Sequence, residues 1–297
     1  MENNFKVDFI GIGAPKSGTT WLFYCLGQHP KICLSVPKEI RYFNRVNFSK
    51  YIRNFQEDNI MNKNHEKPLS WYENCFKHCS QDLTKGEFSV SYLYDHKAPL
   101  LIKQTFPDVK LIVCLRNPID RAYSSYWQRR NYRNLEKLSF EDAIREHLAY
   151  IDCGLYYKHL IRYLNYFRRD QILIVLFDDI VLSPEREIKK VFEFLVVDPA
   201  IRLNLGKVSM NKSKKAWFPF IDLIMKDFPN FLIDRNLGYL LHLARKLGMR
   251  KFLLSLTTRP FEYPEMNPNT RLYLRSVFDD DVRQLEKLLN RDLSQWL

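Results

Sequence analysis

The stretch Val7-Asp-Phe-Ile-Gly-Ile-Gly13, which continues as Ala14-Pro-Lys-Ser-Gly-Thr-Thr20, decides the fold of this chain. Its first half is an apolar run that predicts a buried strand, and apolar residues from Thr19 to Gly27 recur at helical spacing. A Pro/Ser/Gly turn joins the two elements. A loop at the N-terminus of a helix presents unpaired backbone N–H groups and the positive end of the helix dipole, so it is suited to bind an anion.

The side chains of this loop favour the same function. Lys16 supplies a mobile positive charge, and Gly18 lets the backbone approach a ligand closely. The lysine precedes the turn glycine, so the loop is not the GxxxxGK[ST] loop of nucleotide triphosphatases, and a Mg²⁺-bridged phosphate is not implied. An ordinary strand–turn–helix connection remains an alternative for such a loop taken alone. The candidate anion-binding residues are Pro15, Lys16, Ser17, Gly18, Thr19 and Thr20.

Strand and helix patterns alternate along most of the chain, which predicts an α/β fold with a central parallel sheet and crossover helices. Further strands are expected near 32–36, 86–93, 109–115 and 171–177. Helices are expected near 97–106, from Pro118 toward Arg130, after Ser139, near 155–168, from Ser183 through Leu195, and over 268–290. We interpret residues 1–297 as one domain. Residues 44–80 are interpreted as a variable, polar excursion, and residues 217–261 as an amphipathic, aromatic helical insertion that forms an acceptor-side or lid segment.

A second candidate site follows the apolar strand 109–115. Arg116 stands at the carboxyl end of this strand, where ligands bind in open α/β sheets, and Ser124 lies two turns into the next helix. An arginine with a hydroxyl donor makes a geometrically selective clamp for a phosphate. Arg121 is left without a functional role, because it can pair with Asp120 or Asp142.

Charge and cysteine content narrow the possible partners. The formal net charge is +12, which favours an anionic partner such as a nucleic acid, an acidic membrane or a charged small ligand. The six cysteines show no CxxC and no regular framework, and Cys114 is expected to be a reduced core thiol. Cys75, His78 and Cys79 are close in sequence, but no second Cys or His pair has finger spacing, so no metal is expected.

The N-terminal sequence predicts no targeting segment. Asp8 interrupts the early apolar stretch and no basic leader precedes it, so no secretory signal is expected. No apolar run reaches the ~18 residues that a spanning helix needs. We therefore expect a cytoplasmic protein without stable membrane insertion.

Four segments, in order along the chain, resemble motifs of the sulfotransferases that use 3′-phosphoadenosine 5′-phosphosulfate (PAPS). The first loop looks like their 5′-phosphosulfate loop, and Arg116-Asn-Pro-Ile-Asp-Arg-Ala-Tyr-Ser124 looks like their 3′-phosphate motif. Lys38-Glu-Ile-Arg-Tyr-Phe43 is similar to the Lys-Glu-x-x-Phe-Phe segment of heparan-sulfate sulfotransferases. Asn211-Lys-Ser-Lys-Lys215 is similar to their late cofactor-binding loop. Tyr263-Pro-Glu-Met-Asn-Pro268 also resembles the C-terminal part of that group.

The resemblance implies a P-loop-like sulfotransferase fold, a reaction and roles for individual residues. Lys16 would neutralise charge on the oxygen that bridges phosphorus and sulfur as the bond breaks, leaving PAP as product. Glu39 matches the catalytic base that removes the acceptor proton, and Lys38 would contact the cofactor or the sulfuryl group. Lysines can cover the charge of one sulfuryl group, so no metal requirement is expected. The remaining implied cofactor-binding residues are Arg116, Ser124, Asn211, Ser213, Lys214 and Lys215.

Departures from the heparan-type pattern bear on the acceptor. Heparan-type members carry Glu-Lys-x-Pro where this chain has Glu87-Phe-Ser-Val90, and their late disulfide hairpin is absent, since no cysteine follows Cys153. These differences favour a bacterial-type enzyme that sulfates a small molecule or natural product in a pocket for which Trp217, Phe218 and Tyr263 are candidates. A carbohydrate or glycolipid acceptor is the alternative.

Two other function classes fit the sequence less well. A P-loop kinase requires a Walker lysine after the glycine and a Mg²⁺-binding acid, and the spacing supports neither. A basic nucleic-acid-binding protein would bind DNA or RNA in a salt-sensitive way. The sequence has no helix-turn-helix, RNP or zinc motif, so a nucleic-acid partner is not expected.

Overall fold

The computed structural model describes residues 5–45, 63–132, 135–205, 212–216 and 258–297. Its centre is a five-stranded sheet formed by β1 (Phe9–Gly13), β2 (Ile32–Leu34), β3 (Thr84–Phe88), β4 (Lys110–Leu115) and β5 (Ile172–Leu176). The strand order is β2-β3-β1-β4-β5, and every neighbouring pair is parallel. The predicted α/β fold with a central parallel sheet is therefore confirmed.

Helices cover both faces of the sheet, which explains why its central strands are apolar along their whole length. The residues of β1 are all buried, and so are Leu111–Leu115 of β4. The helices are α1 (Thr19–Leu26), α2 (Leu69–Asn74), α3 (Ala98–Thr105), α4 (Pro118–Trp127), α5 (Phe140–Glu146), α6 (Ala149–Asp152), α7 (Tyr156–Leu164), α8 (Phe177–Leu182), α9 (Pro184–Leu195) and α10 (Pro268–Leu289). Short 3-10 turns occur at Lys63–Glu66, Arg169–Gln171 and Ser294–Trp296, and a π-helical turn, Gln128–Tyr132, extends α4.

Local signals account for several helix boundaries. Pro118 and Pro184 occupy the first turns of α4 and α9, as their fixed φ allows. The Asn117 side chain accepts hydrogen bonds from the first turn of α4, and Ser139 caps α5 by accepting from the Asp142 N–H. The predicted starts of these helices are confirmed, whereas α7 is shorter than the expected helix over 155–168.

The sheet topology creates a crevice at the carboxyl ends of β1 and β4. After β1 the chain crosses to β2 and returns through β3, and it then crosses to β4 on the other side of β1. Connections from β1 and β4 thus leave in opposite directions, and ligands of open α/β sheets bind at such a switch point. The loop after β1 carries Lys16 and the loop after β4 begins with Arg116, so the topology places both predicted motifs at this crevice.

The C-terminal helix α10 packs against the domain and closes its core. Leu274, Phe278 and Leu285 are fully buried, and Trp296 is 1% exposed with its indole N–H donated to Asp178 at 2.7 Å. Arg291 forms two hydrogen bonds of 2.7 Å with the Asp179 carboxylate. Trp296 thus packs back onto the core.

Two predicted segments lie partly outside the described residues. Of the excursion 44–80, residues 46–62 are not described, and the part that follows contains α2. Of the insertion 217–261, residues 217–257 are not described, including Trp217 and Phe218. β6 (Lys212–Ala216), which directly precedes this insertion, pairs in antiparallel orientation with β7 (Thr258–Glu262). The last residues of the insertion therefore form a strand, although the insertion was expected to be helical. No helix among the described residues is long and apolar enough to cross a membrane.

Cysteine pairing differs from the sequence-based expectation. Cys33 in β2 and Cys79 after α2 form a disulfide, with Cα atoms 5.7 Å apart. The interpretation that the cysteines form no framework was wrong, because the folded chain joins two cysteines separated by 46 residues. His78 lies against this pair, but both sulfurs are used in the disulfide, and Cys75 is a separate buried thiol. Cys114 is a buried free thiol as predicted, and burial raises its pKa to about 12.

Candidate active site

The loop between β1 and α1 has a backbone built for close approach to a ligand. Gly18 has φ 89°, and Lys16 has φ 68°, a left-handed conformation that is uncommon outside glycine. A Cβ on Gly18 would lie 2.9 Å from the Phe177 ring, so only glycine fits there. Among the described residues no side chain caps the first turn of α1, and that turn contains no acidic residue. The backbone N–H groups of this turn are therefore suited to bind an anion.

Ser17 is the strongest sign of a ligand within this loop. Its side chain is fully buried, and within the described part of the chain its Oγ lies near the Tyr156 hydroxyl without forming a hydrogen bond of good geometry. The neighbouring Tyr156 hydroxyl donates instead to the Arg116 carbonyl at 2.9 Å. Burial raises the pKa of Tyr156 to about 12, so this hydroxyl keeps its proton. A buried polar atom without a partner is costly, and an anionic oxygen at this loop would satisfy it.

Arg116 lies directly beside the loop. Its Nη1 atom is 3.4 Å from the Lys16 carbonyl oxygen, and its guanidinium lies over the Phe177 ring at 4.9 Å from the ring centre. The side chain is 95% buried, since only 5% of its surface is exposed. An arginine held between an aromatic ring and a loop carbonyl is pre-oriented for an anionic group.

Ser124 and the segment after β7 meet on α4. Ser124 is buried, and its Oγ accepts a hydrogen bond of 3.3 Å from the Tyr263 hydroxyl. The Tyr263 ring stacks on Trp127 with 6.3 Å between ring centres. Tyr263, a candidate for the acceptor pocket, thus contacts the residue predicted to bind the 3′-phosphate. The hydroxyl donor nevertheless stands on the helix that follows Arg116, as expected.

Arg121 does not make either of the ion pairs considered from the sequence. It is 1% exposed and donates to the Tyr150 carbonyl oxygen. Asp120 pairs with Arg271 at 2.6 Å, and Asp142 accepts a hydrogen bond from Ser139. Tertiary packing of α6 against α4 brings the Tyr150 carbonyl to this guanidinium, which short-range sequence reasoning missed.

Lys38 extends across the start of α1. Its Nζ atom is 3.1 Å from the Thr20 Oγ1 and 3.5 Å from the Thr19 Oγ1, and it lies over the Phe23 ring. The structure therefore brings Lys38 to the loop that the sequence predicted to bind the phosphosulfate. A second positive charge at this helix N-terminus increases its attraction for anions.

Glu39 follows Lys38 and contacts an arginine that the sequence analysis did not single out. The Arg41 Nε atom donates to the Glu39 Oε2 at 3.0 Å, and the Nη2 atom donates to the same oxygen. Both side chains are partly exposed, at 26% for Glu39 and 21% for Arg41. The guanidinium thus holds the Glu39 carboxylate in a defined direction. The Arg-after-Glu spacing of two was visible in the sequence, but its geometry depends on the left-handed φ of 57° at Arg41.

The late motif is described only in part. Asn211 lies outside the described residues, whereas Ser213, Lys214 and Lys215 belong to β6. The backbone of β6 packs against the π-helical turn at the end of α4. The predicted late segment therefore lies beside the end of the helix that contains Ser124.

Phe88, which replaces the lysine of heparan-type members, belongs to the core. It is fully buried, its ring is 6.3 Å from that of Phe9 and 5.8 Å from that of Phe23, and it covers Gly11. The Phe88 side chain therefore packs beneath α1 and offers no contact surface to an acceptor.

Comparisons with known proteins agree with this geometry. The sulfotransferase domain family matches residues 6–227. The chain belongs to the sulfotransferase family. A solved sulfotransferase from Alicyclobacillus acidocaldarius superposes with a TM-score of 0.72 and 26% identity, covering 98% of this chain and 99% of that one. The P-loop-like sulfotransferase fold implied by the motifs is therefore confirmed.

Curated relatives extend this similarity. A mouse bifunctional heparan sulfate N-deacetylase/N-sulfotransferase 4 is 28% identical over 97% of this chain and 31% of its own length. A mouse heparan sulfate glucosamine 3-O-sulfotransferase 3A1 is 30% identical over 63% of this chain and 44% of its own length. The chain therefore matches less than half of the length of each of these relatives.

Proposed function

We propose that this sulfotransferase moves the sulfuryl group of PAPS to a hydroxyl or amine of an acceptor, with the loop after β1 and Arg116 holding the donor. The observation that carries this proposal is the meeting of the two motifs. Arg116 lies 3.4 Å from the Lys16 carbonyl, and Lys38 lies 3.1 Å from Thr20 in the same loop. A donor with phosphosulfate at one end and a 3′-phosphate at the other matches two adjacent anion sites.

The proposed step balances charge and protons among residues of this chain. The Glu39 carboxylate takes the proton from the hydroxyl or amine of the acceptor. The lone pair left on that oxygen or nitrogen forms a bond to sulfur. The bond between sulfur and the bridging phosphate oxygen breaks, and PAP departs with the added negative charge. In this proposal Lys16 of the loop after β1 and Lys38, whose Nζ atom lies 3.1 Å from the Thr20 Oγ1, stabilise that charge. No metal is assigned to this step.

We infer a carbohydrate acceptor from the relatives. The relatives named above are heparan sulfate enzymes, and the first matches along 97% of this chain. Buried Phe88 removes one objection to a glycan, because that residue faces the core instead of an acceptor. An amino-sugar amine or a sugar hydroxyl would both suit a carboxylate base.

A small molecule or natural product is the second candidate acceptor. The sequence feature that favours it is the absence of the late disulfide hairpin of heparan-type members, since no cysteine follows Cys153. The cytoplasmic location expected from the sequence likewise stays a prediction.

A transfer screen tests the proposal. Wild-type enzyme and Lys16→Ala are incubated with PAPS and either de-N-acetylated heparosan oligosaccharides or a set of small hydroxyl and amine compounds. Mass spectrometry then detects the gain of one SO₃. We expect the wild-type enzyme to sulfate the oligosaccharides and Lys16→Ala to sulfate them much more slowly. Sulfation of small molecules alone would reject the carbohydrate acceptor, and no transfer from PAPS to any acceptor, with no PAP formed, would reject the proposed reaction.

A further inference from the structure

Glu87 is a buried carboxylate with an unusual set of hydrogen-bond donors. It lies near the carboxyl end of β3 and is 0% exposed. The Tyr72 and Tyr92 hydroxyls donate to its Oε1 at 3.1 and 3.0 Å, and the Ser89 hydroxyl donates to its Oε2 at 2.6 Å. Burying a carboxylate is costly unless its lone pairs are satisfied, so this arrangement calls for a structural reason.

The reason lies in the segment that follows Glu39. The Ile40 N–H donates directly to the Glu87 carboxylate. The Arg41 N–H donates to the Ser89 Oγ at 2.9 Å, and the Phe43 N–H donates to the Tyr92 hydroxyl at 3.3 Å. Three backbone amides of residues 40–43 thus reach Glu87, either directly or through one hydroxyl.

This segment needs such support, because it has no regular secondary structure. Arg41 adopts φ 57°, a conformation that a non-glycine residue keeps only where its surroundings hold it. The Arg41 guanidinium contacts the Glu39 carboxylate, so the backbone at Arg41 and the direction of Glu39 are coupled. Fixing residues 40–43 therefore fixes the carboxylate.

We propose that Glu87, together with Ser89 and Tyr92, is the positioning residue that holds the backbone of residues 40–43 and thereby aims the Glu39 carboxylate. Glu87 touches neither donor nor acceptor, and it acts through Glu39. The inference rests on the proposed role of Glu39 as the base. It assigns a function to the Glu-x-Ser-x-x-Tyr pattern at 87–92.

The test compares turnover in variants that differ only at this network. Glu87→Gln preserves the shape of the side chain, and Ser89→Ala leaves Glu87 in place but removes the bridge to Arg41. Glu136→Gln is the matched control, because Glu136 is also buried and accepts a tyrosine hydrogen bond, from Tyr150 at 2.8 Å. For each variant kcat, KM for the acceptor and the affinity for PAP are measured, along with the melting temperature.

We expect Glu87→Gln and Ser89→Ala to lower kcat by roughly 10–100-fold, the range that a small misplacement of a reacting group costs. PAP affinity should change by less than about threefold, because the donor loop is separate from this network. Glu136→Gln should keep kcat near the wild-type value. If Glu87→Gln loses PAP binding and its melting temperature falls sharply, the variant is misfolded, and Ser89→Ala becomes the test. Wild-type kcat in Ser89→Ala would then overturn the proposal.

A double variant separates this inference from the proposed base. If Glu87 acts through Glu39, Glu39→Gln/Glu87→Gln should be no more than about threefold slower than Glu39→Gln alone. Losses that multiply would overturn the positioning role and leave the base assignment standing. Wild-type turnover in the single variant Glu39→Gln would instead overturn the base assignment, and the positioning role with it.

Discussion

The Arg116 guanidinium lies 3.4 Å from the carbonyl oxygen of Lys16, although 100 residues separate the two along the chain. Parallel pairing of β1 with β4 produces this contact, because it brings the two strand ends to one edge of the sheet. The relationship makes the two anion-binding motifs parts of a single site, and it leads directly to a test of Arg116.

Replacing Arg116 should weaken PAP binding selectively. A hydrogen bond to a charged group contributes about 1.5–3 kcal/mol, so Arg116→Ala should raise the Kd of PAP by roughly 10–100-fold. Adenosine 5′-phosphosulfate, which lacks the 3′-phosphate, should lose much less. Calorimetric titration measures both, with the exposed Arg168→Ala as control. Equal losses for the two nucleotides would show that Arg116 does not contact the 3′-phosphate.

Replacing Glu39 should slow the chemical step while binding is preserved. Glu39→Gln keeps the shape of the side chain but cannot take a proton, so kcat should fall by roughly 10²–10⁴-fold with little change in KM. Lys16→Ala should differ, lowering both donor affinity and kcat, because Lys16 contacts charge that is already present in bound PAPS. Steady-state kinetics with Glu185→Gln as a surface control provides the measurement. Near-normal kcat in Glu39→Gln would contradict its role as the base. The next candidates would then be His65, His78 and His96.

Stability should depend on pH through Glu87. Burial raises the pKa of Glu87 from 4.5 to about 7, although the hydrogen bonds from Ser89, Tyr92 and Tyr72 oppose the rise. The folded state therefore holds this proton more tightly than the unfolded state does. The resulting stabilisation is complete below about pH 4.5 and is lost as the pH rises through 7, by up to about 3 kcal/mol.

Glu87→Gln lacks this titration and supplies the comparison. Its free energy of unfolding relative to the wild type should increase between pH 5 and pH 8. Chemical denaturation at several pH values measures the difference. Parallel curves for the two proteins would contradict a raised pKa at Glu87.

The Cys33–Cys79 disulfide should stabilise the fold. It closes a loop between residues 46 apart, for which the loss of chain entropy predicts at most about 4 kcal/mol. Cys33→Ala/Cys79→Ala should therefore unfold at lower denaturant concentration, and the wild type should do the same in reducing buffer. Such bonds persist in oxidising compartments, so alkylation and mass spectrometry of protein from its native source also test the predicted cytoplasmic location. Free thiols at both positions, with no change in stability in the double variant, would contradict the disulfide.

The sequence was informative wherever structure depends on neighbours along the chain. Hydrophobic runs predicted β1 and β4, and Pro118 and Ser139 predicted the starts of α4 and α5, because these signals act within a few residues. The loop containing Lys16 and the position of Arg116 followed from strand ends of a parallel sheet. Family motifs added Lys38 and Glu39, which composition and spacing alone would not distinguish from surface charges.

Contacts between distant segments were beyond such reasoning. Pairing of Cys33 with Cys79 depends on how α2 packs beside β2, and the Glu87 network depends on how β3 meets residues 40–43. Arg121 satisfies its charge on a backbone carbonyl that no sequence pattern indicates. The interpretation of Phe88 changed as well. The sequence shows that the residue is apolar, but only the fold shows that its side chain faces the core.

Nucleotide titration in the presence of EDTA tests the central claim most directly. Calorimetry with PAP, adenosine 5′-phosphosulfate and ATP compares ligands that carry both anionic ends, only the 5′ end, or a triphosphate that would need a metal. We predict one PAP per chain with EDTA present, at least tenfold weaker binding of the other two, and a gain of ~2.7 kcal/mol in stability at a hundredfold excess of PAP over its Kd. Equal affinity for PAP and adenosine 5′-phosphosulfate, or binding that requires Mg²⁺, would contradict a single site built from the Lys16 loop and Arg116.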